Sequence, residues 1–426
     1  MTFVGRSKVF FGITVIATLS CQWSHAFTPL KSTNSVSGRF LSSPSKHTFS
    51  ADRLSVNMAA TESAATSATK MTTKDAVTQL KKILTKEYTT FFAPMYTEYY
   101  SPTVTFTDPM TSFSGVDKYQ NNVDMLASRT LMGSILFTDA RIALHKVTGG
   151  DVDDATGDIS DIVTRWTLRV TAKAFPWKPT AVFSGISVYE VVPSSSPVGV
   201  QILHQTDYWD SVNLAPDGSG EYRTVDKGVA IQDFVGQLKP GGFQAQAAGP
   251  ELPYQLLRKG DGYEVRSYPA YNGATLPYNR RDEGMGSLGS FTRGMKPLAP
   301  ALMEVQSSDT SDKYMTWPLT FTAPGETTPP VPKEAKERAG EGQWRTIRVT
   351  NEPAKIIAVG RFTDASMEPV IRIADRELRK VLKRDGLVPA KSSEDVLKFA
   401  QYDATYSMGQ RRGEVWIELE EGGHPW

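Results

Sequence analysis

Tyr263-Glu264-Val265-Arg266-Ser267-Tyr268 and Arg411-Arg412-Gly413-Glu414-Val415-Trp416 bracket the last third of the chain. Both alternate apolar and charged residues with the two-residue period of a β-strand. Between them the sequence predicts two helices and further strands at 270–276, 314–321, 344–349, 355–362 and 398–402, so the pair reads as the outer strands of one α+β unit. The first helix carries Leu288, Phe291, Met295, Leu298 and Leu302 as an apolar stripe at spacings of three and four. Gly294, Pro297 and Pro300 interrupt that stripe, which predicts a kink or a late start. The second helix is expected to start at an N-cap Ser366, run through Val370, Ile373, Ala374, Val381 and Leu382, and stop near Gly386 with Arg384 at its C-terminus. Helix-strand groupings on either side of the 323–343 loop suggest two similar halves.

The order Y-E-V-R-x-Y, apolar helix, Met315-Thr316-Trp317-Pro318, Pro-rich loop, second helix, Tyr402 and R-R-x-E-V-W resembles the SOUL haem-binding protein family over residues 250–426. The resemblance implies a distorted antiparallel β-barrel with two helices and a shallow apolar groove that takes a tetrapyrrole, haem or another porphyrin. Two departures stand out. Gly413 replaces the usual Asn, and the prolines common before the paired arginines are absent from Thr405-Tyr406-Ser407-Met408-Gly409.

Residues 250–426 contain one histidine, His424, at the extreme C-terminus, and no cysteine. Met295, Met303 or a tyrosine would have to reach an iron, although a methionine in an apolar stripe usually packs a core. Binding is therefore expected to rest on the macrocycle, without a strong axial ligand and without a metal site built by the protein. Covering about 400 Å² of apolar surface is worth roughly 10 kcal/mol gross, before the cost of association. The expected lining is Leu288, Phe291, Met295, Leu298 and Leu302, with Arg293, Lys296, Arg411 and Arg412 as cations for the propionates. The alternative for those cations is solvation or pairing with Glu414 and nearby acids. Carrier, buffer and sensor roles all suit such a groove.

Upstream, residues 214–249 hold Pro216-Asp217-Gly218-Ser219-Gly220 and Pro240-Gly241-Gly242, which read as a linker with one short helix at 231–238. A first domain is placed at 73–213. Val77, Leu80, Leu84 and Tyr88 line one face of its opening helix, and a strand at 104–107 stops at Asp108-Pro109. A helix at 115–126 and strands at 135–145, 159–173, 181–192 and 200–209 follow, an α+β layer packing of a curled sheet over helices. The segments Phe106-Thr107-Asp108-Pro109, Gly115-Val116-Asp117-Lys118-Tyr119, Arg165-Trp166-Thr167-Leu168, Pro176-Trp177-Lys178-Pro179 and His204-Gln205-Thr206-Asp207 are similar to the NTF2-like cone fold and, more narrowly, to the DUF2358 family of plastid proteins.

Cone folds can hold an acid/base pair in an apolar recess, and Asp108, His204 and Asp207 are the groups available. On that reading the domain is an isomerase or dehydratase acting on a small apolar metabolite. The structural alternative is simpler: Asp108 ends a strand through its Asp-Pro turn, while His204 and Asp207, three apart, lie on opposite faces of another. A third reading is a non-catalytic interaction module with an unknown protein partner.

Arg6 and Lys8 precede an apolar run at 9–19 that is too short to span a bilayer, and Ser24 and Ala26 suit a signal peptidase, giving a signal peptide at 1–26. Residues 27–70 are Ser-, Thr- and Ala-rich and poor in acids, as a transit peptide would be. The pair resembles the bipartite presequence of secondary plastids; plain secretion is the alternative. Cleavage would remove Cys21, His25 and His47, leaving no disulfide or thiolate chemistry. The 426 residues favour more than one domain, and no transmembrane segment is expected in the mature chain. A net charge of +1 with a 40% hydrophobic fraction favours neither a nucleic-acid partner nor an anionic membrane surface.

Overall fold

Thr72 opens the first helix, α1 (Thr73–Thr89), by accepting the Asp75 amide on its side chain at 3.1 Å. The expected stripe of Val77, Leu80, Leu84 and Tyr88 is fully buried. The computed structural model describes residues 71–212, 222, 226–240, 250–306, 313–323, 325–363, 368–402, 412–420 and 422, and residues 71–426 form one compact unit. The presequence expected at 1–70 lies outside the described residues, as do Ser366, Arg411 and His424.

Helix α1 packs on a six-stranded sheet built from β1 (Tyr100–Thr107), β2 (Ser112–Ser114), β3 (Phe137–Gly149), β4 (Ile162–Ala172), β5 (Thr180–Pro193) and β6 (Val200–Trp209). The strand order is β2-β1-β6-β5-β4-β3, antiparallel except where β1 lies parallel to β6. Helices α2 (Val116–Leu126) and α3 (Leu131–Leu136) follow β2, and Tyr119 and Val123 of α2 join the same core. All the long strands expected here are present; α3 and the short β2 were not expected. In the segment read as a linker, α4 (Lys227–Gln237) docks back on this sheet: Gln237 accepts the Val182 amide at 2.8 Å, and the Trp177 indole donates to the Leu238 carbonyl at 2.9 Å.

The second sheet holds β7 (Gln255–Lys259), β8 (Tyr263–Tyr268), β9 (Tyr271–Pro277), β10 (Ala301–Gln306), β11 (Lys313–Phe321), β12 (Arg348–Glu352), β13 (Lys355–Thr363), β14 (Val396–Gln401) and β15 (Arg412–Glu418). Helices α5 (Arg281–Phe291) and α7 (Glu368–Arg384) are long; α6 (Lys333–Arg338) is a short turn of helix. The order is β12-β9-β11-β10-β14-β15-β13-β8-β7, antiparallel throughout. It is symmetric about the β10–β14 pair. Strand-strand-helix-strand-strand occurs twice, as β8-β9-α5-β10-β11 and β12-β13-α7-β14-β15, and each half's first strand adds to the edge of the other half. The two similar halves are therefore real. The closed barrel is not, because no strand pairing joins β7 to β12 among the described residues.

The first helix of this domain also needs correction. It ends at Phe291 with Thr292 as its C-cap, so the stripe from Leu288 to Leu302 is not one helical face. Pro297 and Pro300 cannot continue the ladder, and after them the chain enters β10. The strand expected at 344–349 begins at Arg348, because residues 342–344 form a 3-10 turn. The α7 assignment agrees with expectation, with Ile371, Leu378 and Leu382 buried, except that Ile373 faces solvent.

Candidate functional site

The bookend strands β8 and β15 are both adjacent to β13, and their alternation has a different meaning from a half-solvated strand. Val265, Val415 and Ile417 face the helices, packed with Leu288 and Phe291 of α5 and Leu378 of α7. The charged residues point the other way, into the curl of the sheet, where they are buried rather than hydrated. Arg266 and Glu414 are fully buried and joined by two parallel hydrogen bonds of 3.0 Å each. Arg266 also donates to Glu264 at 2.7 Å and to the Tyr268 hydroxyl at 3.0 Å, and its guanidinium lies 4.3 Å from the Tyr254 ring centre. Glu414 accepts from the Tyr402 hydroxyl at 2.7 Å and the Trp416 indole at 3.2 Å. Burial alone would push the Glu414 carboxyl up; the guanidinium charge and these donors outweigh it and hold the group at about 2.

Arg412, expected as a rim cation, belongs to this network. It makes a two-pronged contact with Glu251 at 2.7 and 3.3 Å and stacks over Tyr402 at 3.6 Å. Gly413 is explained by the same packing: it pairs with Phe362 across β13, and a Cβ there would come within 2.5 Å of the Phe362 ring. Among the described residues, this side of the sheet is occupied by buried side chains bonded to one another.

The remaining expected lining residues divide between two faces. Leu288 and Phe291 are fully buried in the core between helices and sheet. Leu302 lies on the opposite face of the sheet with Tyr268, Tyr271 and Trp416, and Leu298 packs beside it. Only Met295, half-buried, and the exposed Arg293 and Lys296 stay together just beyond the C-terminus of α5, where Arg338 donates to the Phe291 and Arg293 carbonyls at 2.7 and 2.9 Å.

What the stripe pattern missed is the outer face of α5. A Cβ on Gly286 would meet nothing within 4 Å, and one on Gly289 would meet only the edge of Trp317 at 3.9 Å. The helix thus presents a low, flat strip beside a half-buried tryptophan, whose buried indole nitrogen has no hydrogen-bond partner among the described residues. Two glycines three apart were the available signal, overshadowed by the apolar stripe. Asp282, Glu283, Ser287 and Ser290 are the other exposed residues of this helix. The described part of this domain supplies no imidazole or thiolate, so the fit is to a macrocycle and not to its iron.

In the first domain His204 and Asp207 point to opposite faces, as their spacing predicts. His204 is exposed on the convex side, contacts Thr105 and lies 3.8 Å from Glu190. Asp207 lies on the concave side, half-buried, and accepts from Gln205 at 2.9 Å. Burial pushes its carboxyl up to about 7, with the nearby Asp108 charge adding to the effect. Asp108 does end its strand, accepting the Met110 and Thr111 amides at 2.7 and 2.6 Å, yet burial still raises it to about 6. Beside them lies a hydroxyl cluster. The Ser187 oxygen receives the Trp166 indole at 2.8 Å and the Tyr88 hydroxyl at 3.1 Å, while Tyr88 also meets Thr164 and Tyr189 at 2.7 and 2.9 Å. The structure brings Asp108 and Asp207 together and leaves His204 out.

Residues 250–418 match the family model for SOUL heme-binding protein. This region is a SOUL heme-binding domain. Residues 78–196, preceding it, match the model of an uncharacterized conserved protein family, DUF2358. Similar solved structures include an NTF2-like superfamily protein from Salmonella enterica serovar Typhimurium LT2, 13% identical over 32% of this chain and 93% of that one, with a TM-score of 0.26. Another is an NTF2-like protein of unknown function from Cytophaga hutchinsonii, 16% identical over 34% and 94%, TM-score 0.21. A third is a CaMKII hub from S. rosetta, 14% identical over 32% and 94%, TM-score 0.23. No curated protein matches the chain. Among the described residues no helix is long and apolar enough to cross a membrane, and none of their His, Cys, Asp and Glu side chains form a metal-holding group.

Proposed function

We propose that the SOUL domain binds haem or a related porphyrin on the outer face of α5, beside Trp317, and not within the curl of its sheet. The family match at 250–418 carries this reading. The buried, mutually bonded charges inside the curl and the open strip at Gly286 and Gly289 support the choice of face. The ring would lie against the Trp317 edge and the bare backbone of Gly286 and Gly289, and Arg293 and Lys296 would hold its carboxylates. A bound haem would supply visible absorption and the redox and ligand chemistry of its iron. Reversible binding of this kind suits a carrier, a buffer or a sensor.

Titration of the chain from Met71 with haem and with metal-free protoporphyrin is expected to shift the Soret band of both, with affinities within about tenfold, or about 1.4 kcal/mol, of each other. Gly286→Phe with Gly289→Phe should weaken both at least tenfold by covering the strip. Absence of any Soret shift would end the proposal, and unchanged affinity in the double variant would move the ligand elsewhere.

A second reading attaches to Asp207, a carboxyl titrating near neutrality beside Asp108 on the concave face, which suits proton transfer to or from a small bound molecule. Its state also has a stability signature. A raised carboxyl favours the folded state while protonated, below the unfolded value near 4, and that contribution is lost as the pH rises through about 7. Asp207→Asn should therefore gain stability relative to wild type between pH 5 and pH 8 in urea unfolding. A constant difference across that range would show that Asp207 is ionised throughout and unsuited to the role.

A further inference from the structure

Helix α3 is built inside out. Gly133 is the residue pressed inward: a Cβ there would come within 2.1 Å of the Met125 carbonyl oxygen of α2. The large apolar side chains face solvent, with Leu131 82%, Met132 53% and Ile135 56% exposed. Leu131 and Ile135, four apart, share one helical face, and Met132 lies three from Ile135. Among the described residues nothing covers the outer side of this patch.

The turn between β4 and β5 lies against the end of this helix, because the Lys173 amide donates to the Leu136 carbonyl at 2.8 Å and the Lys173 ammonium reaches the Ser134 carbonyl at 3.4 Å. That turn adds Trp177, 42% exposed, whose indole N–H is already satisfied by Leu238 and whose ring packs against Phe175 at 5.1 Å. Residues 129–137 and 172–180 together contain Arg129, Lys173 and Lys178 and no acid. Arg129 is held by Asp124 at 2.6 Å, which leaves the two exposed lysines beside the patch, and Asp139 is the next acid along the chain.

We propose that this end of the first domain docks on an anionic lipid surface, with Leu131, Met132, Ile135 and Trp177 entering the headgroup boundary and Lys173 and Lys178 meeting lipid phosphates. Exposed apolar and aromatic groups with lysines on the adjoining turn are the chemistry of a protein that lies on a bilayer without crossing it. The near-zero net charge of the chain does not oppose this, because the relevant charge is local and screened beyond about 10 Å at ordinary salt. A second copy of the chain is the other occupant an apolar patch admits, but the lysines would then face each other.

The chain from Met71, which excludes the apolar run at 9–19, is floated with vesicles of equal parts phosphatidylcholine and phosphatidylglycerol, and with phosphatidylcholine alone. Most of the protein should float with the anionic vesicles and little with the neutral ones. Leu131→Glu with Ile135→Glu should abolish flotation, and Lys173→Glu with Lys178→Glu should reduce it at least fivefold. Ile373→Glu, at a 51% exposed position on α7, should leave it unchanged and serves as the control. Flotation equal for wild type and the Leu131/Ile135 variant overturns the proposal. So does a wild-type dimer in solution that this variant dissociates while neither binds vesicles.

Discussion

Glu414→Ala should destabilise the folded chain by about 3–5 kcal/mol, because removing one partner of a buried ion pair strands the other in a dry site. Of its two carboxylate partners Arg266 would keep Glu264, and the Tyr402 hydroxyl, the Trp416 indole and Arg412 would each lose an acceptor or a countercharge. Arg266→Met combined with Glu414→Leu should recover much of the loss, since replacing both charges by apolar groups of similar volume is often close to neutral. A pH series separates the charge from the shape. The carboxyl falls from 4.5 unfolded to about 2 folded, so its contribution is present above pH 4.5 and lost as the pH drops toward 2. Wild type should therefore weaken steeply in that window and Glu414→Gln should not. Urea midpoints measured from pH 7 to pH 3 decide it, and a Glu414→Ala cost below about 1 kcal/mol would mean the pair contributes little to stability.

That pair also marks how far the sequence could be read. The alternation in 263–268 and 411–416 identified two strands, observed as Tyr263–Tyr268 and Arg412–Glu418. It could not tell that their charged faces point into the protein, because alternation reports two different faces and not which of them meets water. Only the partners distinguish the cases: Arg266 and Glu264 of β8 meet Glu414 of β15 across β13, a pairing that sequence distance hides. The same blindness placed Arg412 on a rim.

Helix α1 and strands β3 to β6 were legible because their patterns are long, as with Val77, Leu80, Leu84 and Tyr88 in α1. Helix α5 was misread because Leu288, Phe291, Met295, Leu298 and Leu302 keep helical spacing through two prolines, where breaker chemistry outweighs periodicity. In the cone domain the opposite facing of His204 and Asp207 followed directly from strand parity. The pairing of Asp207 with Asp108 did not, since it depends on the curl that carries β1 beside β6.

Asp210→Ala should cost a further about 3–5 kcal/mol and, in addition, loosen the first domain from the second. Strand β7 is the edge of the second sheet, yet it lies on the convex face of the first: Thr167 donates to the Leu256 carbonyl at 2.9 Å, and the Lys259 amide donates to Ser184. Between them runs a buried chain of charge. Arg165 grips Asp210 with bonds of 2.8 and 2.6 Å, Arg258 lies 3.9 Å from Asp210 on one side and 3.3 Å from Asp385 on the other, and Tyr263 closes on Asp385 at 2.7 Å. His145, beside this seam and bonded to Thr167, is held down to about 4, by burial first and then by the Arg165 charge, so it adds no positive charge at neutral pH. Without the Asp210 carboxylate, Arg165 loses its two-pronged acceptor, and Arg258 keeps Asp385 on its other side. The loss then falls on the seam itself and not on either core, since the two sheets keep their own apolar clusters. Urea unfolding followed by Trp fluorescence should show one transition in wild type and two in Asp210→Ala, with exchange of the Lys259 amide at least tenfold faster. A single transition with unchanged exchange at Lys259 would show that apolar contacts, not this ionic chain, hold the domains together.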